Sequence, residues 1–308
     1  MEFNHKSIMV EEILTALAIK PNGIYLDCTL GGAGHAQAIS KKLDGRGLII
    51  GIDRDEDAIK AAVENLTGAA CGVKIVRDNF SELDRILDDA GIEKIDGALF
   101  DLGVSSHQID TAERGFSYMK NSRLDMRMDR RQNLTAYDVI NRYDEDRQIK
   151  IFREYGEEKF SRRIVKAISD ARKISPIETT GELVKIIEDV TPKIKNGGHP
   201  AKRIFQAVRI EVNGELEILA GTIKKVVNRL KSGGRLAVIT FHSLEDRIIK
   251  ETFKELAQDC ICPKNFPVCV CHHRAEIKIL GRAKTPLPQE IELNSRAKSA
   301  KLRVAEKI

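Results

Sequence analysis

The stretch Leu26-Asp-Cys-Thr-Leu-Gly-Gly-Ala-Gly-His35 constrains the fold more than any other in the chain. The apolar run Gly23-Ile-Tyr-Leu26 before it reads as a buried parallel strand, since a strand covered on both faces needs no polar alternation. The glycines allow a sharp turn and a close approach of ligand to backbone. A helix-compatible stretch follows over 36–43, and the free N–H groups of a helix start add polar donors. About 20 residues on, Leu48-Ile-Ile-Gly-Ile-Asp53 reads as a second strand ending in a carboxylate, a spacing that suits a ribose-binding acid. A glycine-rich turn alone is equally well a tight strand–helix connection. Asp53 shifts the reading toward a bound nucleotide.

The dinucleotide pattern G-x-G-x-x-G, started at Gly32, meets Gln37 at its third glycine position, and no G-K-[ST] follows the glycines. A turn without the third glycine and an acid after strand two is similar to the S-adenosylmethionine site of class I methyltransferases. The expected fold is therefore α/β, a Rossmann-like methyltransferase sheet.

Length allows one large or two modest domains, with 308 residues. The formal net charge of +5 permits nucleic-acid binding without requiring it. With no Trp and 5% aromatic content, an aromatic stacking platform is not expected. No run approaches the ~18 apolar residues of a membrane span, and the first residues lack the basic and apolar regions of a signal peptide. A cytoplasmic protein with no membrane partner is expected. Its six cysteines are then thiols or metal ligands rather than disulfides.

Apolar spacing predicts an amphipathic helix over 7–18, lying on the edge of the sheet. Asp55 is a candidate N-cap for a helix reaching Leu66. Strands follow at 73–77 and 95–101, the latter again ending in an acid, Asp101. Phe80, after the third strand, either packs in the core or lies against an adenine. In open α/β sheets the carboxyl ends of the strands form the site. The strand–helix alternation then stops, and 109–209 reads as an inserted helical domain. The sheet-bearing domain is expected at 1–108 and 210–308. The insert opens with charged, loop-like segments containing Arg127, Arg130 and Arg131, and helices are expected over 136–142, 145–155, 157–173 and 180–190. Lys193, Lys195, Lys202 and Arg203, with Arg163, Lys166, Arg172 and Lys173, either track phosphates or form a solvated helix surface. A long helix is expected over 201–231, stopped by Gly233-Gly234, then a strand over 235–241. Ser243 and Asp246 have capping-box spacing, and further strands fit 276–280 and 300–304.

Cys260, Cys262, Cys269 and Cys271 lie within twelve residues. Thiolates bind zinc tetrahedrally, and a proline-bounded loop can fold two C-x-C pairs around one ion. The rival is a reduced loop without metal. Cys28 and Cys71 read as small buried residues.

Taken together, these motifs resemble the RsmH (MraW) family, whose members methylate N4 of a cytidine in the decoding region of small-subunit ribosomal RNA. The resemblance runs over nearly the whole chain. It is carried by Gly31-Gly-Ala-Gly-His35, Asp53-Arg-Asp55, Asp101-Leu-Gly-Val-Ser-Ser106 with Gln108, and Glu113-Arg-Gly-Phe-Ser117. Leu124-Asp-Met-Arg-Met128, Phe205-Gln-Ala-Val-Arg-Ile210 with Asn213, Phe241-His-Ser-Leu-Glu-Asp-Arg247 and Ser299-Ala-Lys-Leu-Arg303 extend it. The family's His-x-Pro-Val, Pro-Ala-Thr-Arg and Asn-Pro-Arg-Ala-Arg read here His5-Lys-Ser-Ile8, Pro200-Ala-Lys-Arg203 and Asn294-Ser-Arg-Ala-Lys298. Lys202 and Ser295 at these departures would alter RNA contacts. The cysteine loop lies where the family varies in length.

The resemblance implies S-adenosylmethionine contacts at Ala33, Gly34, His35, Asp53, Phe80, Asp101 and Gln108. It implies small-subunit ribosomal RNA, or the assembling subunit, as partner. Asp101 is placed either for the target amine, as catalytic residue, or for the cofactor's amino group. Two rival readings are a dinucleotide oxidoreductase, disfavoured by Gln37, and a non-enzymatic RNA-binding or assembly protein on the same fold.

Overall fold

The structure is a computed structural model that describes residues 7–192, 198–260, 262, 266, 268, 270–271 and 273–308. The chain forms two compact units, one of residues 1–103 and 216–308 and one of residues 104–215.

The first unit starts with α1 (Val10–Leu17), whose Ile13 and Leu17 are buried. It continues through β1 (Ile24–Asp27), α2 (Gly34–Ser40), β2 (Leu48–Asp53), α3 (Glu56–Asn65), β3 (Gly72–Arg77), α4 (Leu83–Asp88) and β4 (Ile95–Asp101). As the spacing predicts, the Asp55 side chain caps α3, accepting from the Asp57 N–H at 3.1 Å.

The second unit carries α5 (Ser106–Asp110), α6 (Ala136–Asn141), α7 (Glu145–Glu154), α8 (Ser161–Ile174), α9 (Thr180–Val190) and α10 (Ala201–Asn213). The 157–173 helix begins only at Ser161, because Glu157 takes a left-handed conformation with φ 49°. The expected 201–231 helix is two helices. Gly214, with φ 58°, ends α10, and α11 (Leu219–Arg229) follows in the first unit.

The chain then runs through β5 (Leu230–Thr240), α12 (Ser243–Leu256), β6 (Ile277–Ile279), α13 (Pro288–Leu293) and β7 (Lys301–Lys307). Gly233 and Gly234 are not a helix stop; they lie inside β5. Ile95 pairs with Leu230 and Gly97 with Arg235, so residues 231–234 bulge opposite Asp96. The bulge brings Lys231 Nζ to 2.6 Å from buried Asp96, which also accepts from Lys20 Nζ and the Ile24 N–H. Burial alone would raise the Asp96 pKa; these three partners hold it below the usual carboxylate range.

The seven-stranded sheet has the order β3-β2-β1-β4-β5-β7-β6. β1 to β5 run parallel to one another, and β7 runs antiparallel between β5 and β6. Buried residues alternate between two apolar clusters. Leu26, Ile50, Ile52, Phe100 and Val238 join α4, α11 and α12 residues, while Tyr25, Ile49, Leu99 and Ile239 join α1 and α2 residues. Each fully buried aliphatic or aromatic side chain contributes about 1.5–3 kcal/mol, so the sheet is held from both faces. No helix among the described residues is long and apolar enough to cross a membrane.

In the second unit the segment that reads as charged loop supplies core. Phe116, Leu124, Met126 and Met128 are buried against α6 to α10 residues. The Asn213 side chain of α10 pins this loop, accepting from the Met128 N–H and donating to the Met126 carbonyl, each at 2.8 Å. Gly115 turns it with φ 72°, where a Cβ would sit 2.5 Å from the Arg123 carbonyl. Arg114 is buried and donates to the carbonyls of Arg127 and Met128.

Candidate active site

β1 is flanked by β2 on one side and β4 on the other, so the strand order reverses there. Open α/β sheets bind ligands at such a reversal, beyond the carboxyl ends of the strands. Three acids end these neighbouring strands: Asp27 on β1, Asp53 on β2 and Asp101 on β4.

The turn after β1 is tight. The Leu30 N–H reaches the Ile52 carbonyl at 3.0 Å, and the Ala33 N–H reaches the Leu30 carbonyl at 2.7 Å. Ala33 is fully buried with φ 65°. Gly34 opens α2, and a Cβ there would lie 2.1 Å from Ser7 Oγ and 3.2 Å from Ser7 Cβ, so a side chain at this position would force Ser7 to shift.

Asp53 is held at both oxygens. Oδ2 accepts from the Gly31 N–H and Oδ1 from the Asp55 N–H, each at 2.8 Å. Burial raises its pKa, and these bonds offset that only in part. Each carboxylate oxygen keeps a further lone pair for a hydroxyl donor. Phe80 stands edge-on to Phe100, with centroids 5.4 Å apart, half-buried against the sheet core. The core reading of Phe80 is thus realised, with part of the residue left open.

Asp101 is anchored through its backbone, whose N–H donates to Thr29 Oγ1 at 2.6 Å. Its Oδ2 lies 3.6 Å from His35 Nε2, and its Oδ1 is buried without a hydrogen-bond partner. Asp27 accepts from the Thr29 N–H at 3.1 Å, and burial pushes its pKa up to about 7 against the pull of His35 and that bond. Burial works against charge on His35, but Asp101, Asp27 and Glu290 outweigh it and leave the imidazole pKa raised.

Sequence reading meets Asp27 and Thr29 only as part of the turn motif, without a role, and passes over Glu290. Asp27 carries the same signal as Asp53 and Asp101, an acid ending a strand. Glu290 carries no local signal, since it reaches the site from α13, where its Oε1 accepts from the Met9 N–H at 2.5 Å.

Gln108 belongs to the second unit. Its Oε1 accepts from the Ser105 N–H at 3.0 Å and its own N–H donates to Ser105 Oγ at 3.2 Å, a capping box on α5. The capping box expected at Ser243 and Asp246 sits one residue earlier. Glu245 accepts from the Phe241 and His242 N–H groups, while Asp246 pairs with Lys301 and Arg303 of β7.

The basic residues differ in availability. Arg127 donates to both oxygens of Asp125 and to the carbonyls of Arg130 and Gln132, so its guanidinium is committed to the loop. Arg131 grips Asp129 yet is half-exposed, Arg203 lies 3.8 Å from Glu158, and Lys202 is exposed. Arg172 serves the carbonyls of Ile140 and Tyr143, and Lys166 and Lys173 share Asp170. Lys193 and Lys195 lie outside the described residues.

The sulfurs of Cys260, Cys262 and Cys271 lie within 4.8 Å of one another, with Cys260 and Cys271 at 3.8 Å. A tetrahedral zinc site with Zn–S of ~2.3 Å has sulfur–sulfur edges of ~3.8 Å. The Cys262 N–H donates to Cys260 Sγ and the Val270 N–H to Cys262 Sγ, each at 3.4 Å, which suits thiolates. Cys269 lies outside the described residues. Cys28 is buried, as read from sequence, whereas Cys71 is only half-buried.

The sequence profile of the MraW methylase family matches residues 2–308. The chain belongs to the MraW methylase family. Ribosomal RNA small subunit methyltransferase H of Clostridium botulinum (strain Kyoto / Type A2) is 55% identical over 310 residues, covering 100% of both chains. The protein of the same name from Clostridioides difficile (strain 630) is 52% identical over 311 residues, again at 100% of both. Among solved structures, an rRNA methylase from Streptococcus thermophilus aligns at TM-score 0.45 and 13% identity, covering 97% of this chain and 93% of that one. As an MraW methylase, the chain has a methyltransferase sheet, and the acid-ended strands around β1 lie where that fold binds its ligand.

Proposed function

We propose that this protein transfers a methyl group from S-adenosylmethionine to the N4 amine of a cytidine in small-subunit ribosomal RNA. The observation that carries the reading is the grouping of Asp27, Asp53 and Asp101 at the carboxyl ends of the strands where the order reverses, beside His35. Full-length relatives named for small-subunit ribosomal RNA methylation support the substrate. We assign the work to the cytoplasm, in keeping with a ribosomal RNA substrate.

The residues present suit S-adenosylmethionine. Asp53 retains acceptor capacity for ribose hydroxyls, Phe80 offers a half-open ring to an adenine, and the Ala33–His35 turn is backed closely by Ser7. When bound, the cofactor supplies an electrophilic sulfonium methyl, whose bond to sulfur breaks as N4 bonds to carbon. The N4 lone pair is delocalised into the cytosine ring, so N4 is a weak nucleophile. An acceptor for its N–H localises the lone pair, and Asp101 is assigned that role together with the proton that N4 loses. Alignment of N4 with the methyl supplies up to ~7–11 kcal/mol. Arg130, Arg131, Lys202 and Arg203 of the second unit are assigned to the RNA backbone.

Asp101→Asn tests the assignment. It keeps shape and replaces one acceptor oxygen by a donor, so the single-turnover rate at saturating cofactor and RNA should fall by ~10²–10³. Cofactor affinity by calorimetry should change little. An unchanged rate with weakened cofactor binding would reassign Asp101 to the cofactor's amino group.

We also propose one structural zinc ion held by Cys260, Cys262 and Cys271 with Cys269 as fourth thiolate. Protein purified without chelators should carry about one zinc per chain with all-sulfur ligation. Absence of metal would leave the loop reduced and metal-free.

A further inference from the structure

The assignments above give no work to Asp27 and Glu290, and both act on one buried group. His35 is 5% exposed, and neither of its ring nitrogens makes a hydrogen bond. An imidazolium in this place is attracted to carboxylates from three elements: Asp27 at the end of β1, Asp101 at the end of β4, and Glu290 on α13. Asp53, at the end of β2, acts on Asp27 in turn. Asp101 needs such a partner. Its backbone is tied to Thr29, its Oδ1 has no hydrogen-bond partner among the described residues, and His35 Nε2 lies 3.6 Å from its Oδ2.

We propose that buried His35, whose Nε2 lies 3.6 Å from Asp101 Oδ2, is a positioning residue that fixes the Asp101 carboxylate for methyl transfer. The inference rests on the assignment of Asp101 under the proposed function. The 3.6 Å gap is longer than a hydrogen bond, and such pairs tighten when the site fills. Burial pushes the Asp27 pKa up to about 7, and Asp101, Asp27 and Glu290 raise that of His35.

Loss of the His35 proton as pH rises frees Asp101, so turnover falls on an alkaline limb. Removing a neighbouring anion lowers the His35 pKa and moves that limb to lower pH. Asp27→Asn and Glu290→Gln each remove one anion; the glutamine Oε1 can still accept from the Met9 N–H.

Two measurements test this. The His35 ring nitrogens are followed by ¹⁵N NMR against pH in the cofactor-free protein, and turnover is followed against pH at saturating cofactor and RNA. In both variants the NMR midpoint should fall by about half a pH unit or more, and the alkaline limb should move with it. His35→Gln should lower turnover at least tenfold and abolish the limb, with a smaller effect on the cofactor KM. If Asp27→Asn does not fold, Glu290→Gln carries the test. Midpoints that stay at the wild-type value overturn the proposal, and so does a limb that stays put while the midpoints move. Failure of the wild-type protein to methylate RNA, with the midpoints shifting as expected, would instead contradict the proposed function.

Discussion

At the residue scale the site is defined by what the strand-end acids already hold. Asp53 spends one lone pair per oxygen on backbone N–H groups, which fixes its carboxylate before any ligand arrives. Asp53→Ala should therefore cost in two ways, by losing the ribose acceptor and by releasing the Gly31 turn. Hydrogen bonds to charged groups contribute about 1.5–3 kcal/mol, so cofactor affinity should fall at least tenfold by calorimetry. Unchanged affinity would remove Asp53 from the site. Spacing makes Asp53 and Asp101 legible in the sequence, because an acid ending an apolar run is a local pattern. Asp27 has the same pattern yet is hidden among the residues of the turn that it begins.

At the element scale the second unit shows how charge in a sequence misleads. The 113–132 segment reads as a basic loop, yet Arg114 and Arg127 brace its backbone and four apolar side chains fill the core. Such burial depends on Asn213, distant in sequence, and no local periodicity reveals it. RNA contacts are therefore expected from exposed bases and not from Arg127. Charge reversal at Arg131, Lys202 and Arg203 should weaken RNA binding and flatten its salt dependence by about one unit of slope per lost phosphate contact. Cofactor affinity should stay at the wild-type value. An unaltered slope would mean that this face meets only solvent. The bulge in β5 is another feature without a sequence signal: Gly233-Gly234 after a helical run reads as a stop, and only the buried Asp96 opposite explains why four residues loop out to deliver Lys231.

At the scale of the whole molecule, alternation of apolar strands with helices discloses the parallel half of the sheet, and its interruption discloses a helical segment between the fourth and fifth strands. Strand pairing at the far edge is less legible. β6 has three residues, and β7 runs antiparallel between β5 and β6, a placement set by the chain's return through α12 and α13. The central claim, methyl transfer to a cytidine amine, is tested most directly by product analysis. Purified protein is incubated with S-adenosylmethionine carrying an isotopically labelled methyl and with small ribosomal subunits lacking the modification. The RNA is then digested to nucleosides for mass spectrometry. The account predicts labelled N4-methylcytidine, lost in the Asp101→Asn protein under the same single-turnover conditions. Label on another atom or another nucleoside, or no label in RNA while the cofactor binds, would contradict it.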